Sequence, residues 1–101
     1  MDWKINFSKE AKKRTKEIIT YLSEEWSVKT AQNFTNLLDN KIKNILLFPR
    51  SFSSIEDKPY IRKCVITPQI TLYYRINHNE IEVITLFDSR QDPDKLKLNI
   101  K

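Results

Sequence analysis

Along residues 70–76 apolar and polar side chains alternate. Ile70, Leu72, Tyr74 and Ile76 fall on one side of an extended chain, and Thr71, Tyr73 and Arg75 on the other. That period belongs to a half-buried strand, with one face for a core and one for solvent or a partner. The strand lies within YIRKCVITPQITLYYRINHNEIEVITLFDSRQDP, residues 60–93, which reads as three strands in succession. Pro68 interrupts the first pair, Asn77-His78-Asn79 the second, and the turn-forming DSRQDP ends the run. The chain has no glycine, so Asn77 and Asn79 are the expected holders of positive φ in the second hairpin.

The first half has a helical period. Trp3-Lys4-Ile5-Asn6-Phe7 alternates as a short strand, and Ser8 after it is placed to cap a helix. Within residues 9–25, Ala11, Ile18, Ile19 and Leu22 form one stripe with Trp26 at its end, while Lys9, Lys12, Lys13, Lys16 and Glu17 lie opposite. Ser27 caps a second helix, on which Ala31, Phe34, Leu38, Ile42 and Ile45 recur at steps of three and four. Leu37, Leu46 and Leu47 widen that stripe, and Pro49 stops the helix. So short a join forces the helices back to back. Residues 50–59, RSFSSIEDKP, read as a polar loop. The expectation is a single α+β domain over residues 1–101: an N-terminal strand, an antiparallel helical hairpin, then a three-stranded antiparallel meander whose apolar face the hairpin covers.

Composition narrows the function little. The 101 residues allow one core, and 31% charged with 40% hydrophobic residues is ordinary for a soluble globular chain. No apolar run reaches the length of a membrane span, and MDWKINF lacks the basic-then-apolar order of a signal peptide. Cys64 is the one cysteine, so it reads as a small buried hydrophobe, and the expected compartment is the cytoplasm. The net charge of +5 is spread evenly: residues 1–49 carry nine Lys/Arg against six Asp/Glu, and residues 50–101 nine against seven. Such a balance suits RNA, DNA or an acidic protein and selects none of them.

The lack of glycine excludes a Walker loop or a dinucleotide fingerprint. One histidine and one cysteine exclude the usual zinc sites. His78, between two asparagines, reads as a solvated turn residue rather than a general base, and Lys12-Lys13-Arg14 as a solvated helix face rather than a phosphate contact. What remains is a set of cations on the sheet: Arg62, Lys63, Arg75 and Arg90, with Lys58 just before. They could hold phosphates or carboxylates through bidentate hydrogen bonds. Alternatively Arg62 and Arg90 pair with Asp88, Asp92 or Glu82 and stitch the sheet.

The ordered set YLSEEWSVKTAQNFTNLLDNKIKNILLFP, IRKCVI, ITLYYRI and DSRQDPDKL resembles the RelE/ParE superfamily, the toxins of bacterial type II toxin–antitoxin pairs, from about Trp3 to Leu96. The resemblance implies the fold already expected, a growth-inhibiting and plasmid-stabilising role, a cognate antitoxin as partner, and neither cofactor nor metal nor membrane. Two activities are open. RelE-like members cleave mRNA on the ribosome, which needs a proton acceptor, a donor and cations around the phosphate; the candidates would be Arg62, Lys63, Arg75 and Arg90. However, Thr71 stands where many of the RNases carry an arginine on the third strand, and after Arg90 there is no His or Tyr, the only nearby lysines being Lys95 and Lys97. ParE-like members inhibit DNA gyrase without a catalytic set, and the EEW helix end with the RQDP ending looks more like that branch. Partner contacts would then fall to Arg62, Tyr73, Arg75 and Arg90. A non-toxic protein-binding module is the third reading.

Overall fold

The computed structural model describes residues 3–90. Its elements run β1 (Lys4–Phe7), α1 (Lys9–Glu25), α2 (Val28–Leu47), β2 (Ile61–Thr67), β3 (Ile70–Asn77) and β4 (Glu80–Asp88). Both helices start where a serine can satisfy an orphan amide. Ser8 Oγ accepts from the Ala11 N–H at 3.0 Å, and Ser27 Oγ from the Thr30 N–H at 3.0 Å. Pro49 ends α2 as expected, with Phe48 as its C-cap.

The four strands form one sheet in the order β1-β4-β3-β2. β2, β3 and β4 are an antiparallel meander joined by two-residue turns, and β1 adds in parallel to β4. In the second turn it is His78 that takes the positive φ, at 57°, rather than Asn77 or Asn79. Asn77 and Glu80 are paired across the ladder, so the loop is only His78-Asn79 and its first position carries the left-handed backbone. β4 is bulged opposite Tyr73/Tyr74. There Ser8 Oγ donates to the Ile84 carbonyl at 2.7 Å while the Ser8 N–H reaches the Val83 carbonyl at 3.0 Å. One residue thus caps α1 and fastens it to the irregular point of β4.

The core lies between the hairpin and one face of the sheet. Ala11, Ile18 and Leu22 of α1 and Ala31, Phe34, Leu38 and Ile45 of α2 meet Cys64, Ile66, Ile70, Leu72, Tyr74, Ile81, Val83 and Leu86, with Ile19 and Ile42 partly buried against them. Burial raises the Cys64 thiol pKa, with Lys41 opposing. The stripe is narrower than its apolar residues suggest: Leu37, Leu47 and Trp26 are exposed. Trp26 sits at the C-cap of α1, where the chain turns away from the sheet. Leu37 and Leu47 lie on the flank of a helix whose inward row runs through 34, 38 and 45.

Leu38→Ala is expected to cost about 2–5 kcal/mol in chemical denaturation, and Leu37→Ala less than about 0.5 kcal/mol. Equal effects would refute this orientation of α2.

Candidate functional site: the open face of the sheet

Residues paired across strands share a face, so register sorts the predicted site residues without further assumption. On the face away from the helices three rows cross the sheet. Val65, Thr71 and Phe87 make the first, Lys63, Tyr73 and Thr85 the second, and Ile61, Arg75, Glu82 and Asn6 the third. The structure therefore brings Lys63, Tyr73 and Arg75 together. Val65 is 53% exposed there, and Ile61 and Tyr73 are buried outside the helix-side core. Arg75 Nε donates to Glu82 Oε1 at 2.6 Å. Burial raises the Tyr73 pKa, so its phenolate is disfavoured.

Arg62 and Arg90 do not share that face. Arg62 is paired with Tyr74, toward the helices, and its Nη1 donates to the carbonyls of Arg50 at 3.1 Å and Phe52 at 2.6 Å. The Tyr74 hydroxyl donates to the Pro49 carbonyl at 2.6 Å, and its ring meets Phe52 edge-on at 6.1 Å. Together these side chains hold the segment after α2 against the sheet. The polar loop expected at residues 50–59 is thus tied to the sheet, through a Ser54–Arg62 bridge to β2. Desolvation pushes the Tyr74 pKa up to about 12, against the opposing field of Arg62.

Arg90 also points toward the helices. Its Nε and Nη2 donate to the two carboxylate oxygens of buried Asp88, each at 3.1 Å, and its guanidinium lies 5.7 Å from the centre of the Tyr21 ring on α1. The stitching reading thus fits Arg90 with Asp88. For Arg62 the partners are backbone carbonyls instead of carboxylates, and Glu82 goes to Arg75. Alternation held the signal for Arg62, two residues from Cys64, which already read as buried. Asp92, Lys95 and Lys97 lie outside the described residues. Among the described residues no cluster of His, Cys, Asp and Glu is placed to hold a metal ion, and no helix is long and apolar enough to cross a membrane.

A helical hairpin on one face of a four-stranded sheet, with β1 parallel to β4, is the architecture of RelE/ParE-superfamily toxins. The chain belongs to the ParE toxin family of type II toxin–antitoxin systems: the profile described as the ParE toxin of the parDE system matches residues 5–93. No curated protein matches it in sequence. Among solved structures it is similar to the chromosomal ParDE system of P. aeruginosa, with a TM-score of 0.73 at 10% identity over 85% of this chain and 95% of that one. It is also similar to an arginine-substituted E. coli toxin RelE in the free state, at 0.62 and 16% over 92% and 90%. The E. coli DinJ–YafQ toxin–antitoxin complex aligns at 0.57 and 14% over 91% and 98%.

Arg90→Ala would leave the buried Asp88 carboxylate without its counter-ion, so a loss of about 3 kcal/mol is expected. Arg75→Ala, on a half-exposed pair, should cost less than about 1 kcal/mol. Denaturation of the two variants side by side checks the assignment of faces. Tyr74 supplies a second test. Its pKa is higher in the fold than the ordinary 10, so its contribution is intact below pH 10 and is lost as pH rises toward about 12. Stability should fall through that window, and less steeply in Tyr74→Phe.

Proposed function

We propose that this protein is a ParE-like toxin that blocks growth by binding a macromolecular target such as DNA gyrase, and that a cognate antitoxin neutralises it. The observation that carries the binding reading is the dispersal of the cations. In-line cleavage of RNA needs an acceptor, a donor and cations converging on one phosphate. Here Arg62 and Arg90 are engaged on the helix side, and Arg75 is paired with Glu82. Lys63 alone of the four has neither an ion pair nor a side-chain hydrogen bond among the described residues, and burial of its neighbour Tyr73 disfavours the phenolate. Lys63, Tyr73 and Arg75 then act as contacts for the target, not as reacting groups.

An antitoxin partner is supported by the family and by the similar folds in the ParDE system and the DinJ–YafQ complex. The net charge of +5 favours an acidic partner.

The test measures gyrase-dependent supercoiling and ribosome-dependent mRNA cleavage in parallel for wild type, Lys63→Ala and Arg75→Ala. Wild type is expected to inhibit supercoiling and leave mRNA intact, with each variant weakened but not silent. Site-specific mRNA cleavage that drops on the order of 10²–10³-fold in a folded variant would establish the nuclease reading instead. No growth arrest on induction would reduce the chain to a binding module.

A further inference from the structure

At the C-terminal end of α2, away from the open face, Trp3, Leu47, Phe48, Pro49, Arg50 and Ser51 line one open concave surface. Leu47 is 67% and Phe48 65% exposed. A single exposed leucine means nothing. Two large apolar side chains in sequence, continuous with a tryptophan ring, form a patch of the kind that marks an interaction site.

Charge narrows the occupant. Between Asp39 and Glu56 the chain carries Lys41, Lys43 and Arg50 and no carboxylate. Lys43 and Arg50 are exposed, and Lys43 lies one helical turn before Leu47, on the same side of α2. The Arg50 guanidinium lies 5.3 Å from the centre of the Trp3 ring and has no carboxylate partner among the described residues. The surface is therefore an apolar floor with a cationic rim. Its backbone is held in place, because the Pro49 carbonyl accepts from Tyr74 and the Arg50 carbonyl from Arg62. A surface already ordered loses little freedom when something docks.

We propose that this surface docks an acidic amphipathic segment of the neutralising antitoxin. Its apolar side chains would lie against Leu47, Phe48 and Trp3, and its carboxylates would reach Arg50 and Lys43. The identity of the partner rests on the toxin reading above; the chemistry of the surface does not. A second copy of this chain fits poorly, since a two-fold contact would bring the same cations face to face.

Two experiments separate the two claims. In a Trp26→Phe background Trp3 is the only tryptophan, so its fluorescence reports on the surface. The probes are a synthetic amphipathic peptide with leucines at i, i+3, i+4 and i+7 and glutamates elsewhere, and its twin with lysines for the glutamates. The acidic peptide is expected to shift Trp3 emission saturably, less so at high salt, and the lysine twin is not. Leu47→Ser with Phe48→Ser should weaken binding at least about tenfold at unchanged melting temperature, since these side chains would no longer leave water. Lys43→Glu with Arg50→Glu should reverse the preference to the lysine twin. Equal binding of both peptides, no binding, or concentration-dependent self-association abolished by the serine changes would each overturn the proposal.

The second experiment co-expresses the toxin with its antitoxin. Serine variants that remain toxic should need at least about tenfold more antitoxin for rescue. Rescue identical to wild type would remove the antitoxin from this surface while leaving the toxin reading intact. A harmless wild type whose Trp3 still responds to the acidic peptide would remove the toxin reading and leave the surface.

Discussion

The hydroxyl of Tyr74 joins the two layers of this molecule at the point where neither could hold itself. Tyr74 lies on the central strand pair, fully buried, and its ring extends through the core to the chain leaving α2. Carbonyls of the chain that leaves a helix stopped by proline have no helical partner. Tyr74 takes the carbonyl of Pro49, and Arg62, its cross-strand neighbour, takes those of Arg50 and Phe52. The Pro49 carbonyl is the buried one of the three, and left unmatched it would cost on the order of 1–3 kcal/mol. The same contacts line residues 53–55 up beside β2, where they cover part of an otherwise open edge.

The arginines divide accordingly. On the helix side, Arg62 and Arg90 fasten the two ends of the sheet, one to a loop and one to α1 through Tyr21. On the open side, Arg75 and Lys63 flank a buried tyrosine. Equal formal charge hides this difference. An inward arginine acts as a multidentate hydrogen-bond donor, whereas an outward one remains available to a partner.

Much of the fold could be read from the residues because its signals are local. The alternation of β3, the row through Phe34, Leu38 and Ile45, the serine caps and the break at Pro49 each depend on a few neighbours in sequence. The site was less legible because it depends on pairing. Whether Glu82 meets Arg62, Arg75 or Arg90 is decided by the register of β3 against β4, and that register shifts at a bulge near Ile84 which no local pattern announces. His78 likewise takes the left-handed position because the loop has only two residues, although asparagine suits that backbone better. Leu47 reads as part of the α2 stripe from its spacing, yet it and Phe48 are exposed where α2 ends.

The parallel pairing of β1 with β4 sets the order of events at synthesis. Ser8 and Ile84 are 76 positions apart, and among the described residues β1 has no strand neighbour but β4. Everything from β1 through Ile84 must therefore leave the ribosome before β1 can find its place. Until then α1 lacks the anchor at the β4 bulge, and the sheet stands one strand short. Such long-range closure is slow compared with helix formation. The nascent chain therefore carries its helical hairpin well before it carries a finished sheet, so assembly of the open face waits until β4 has emerged.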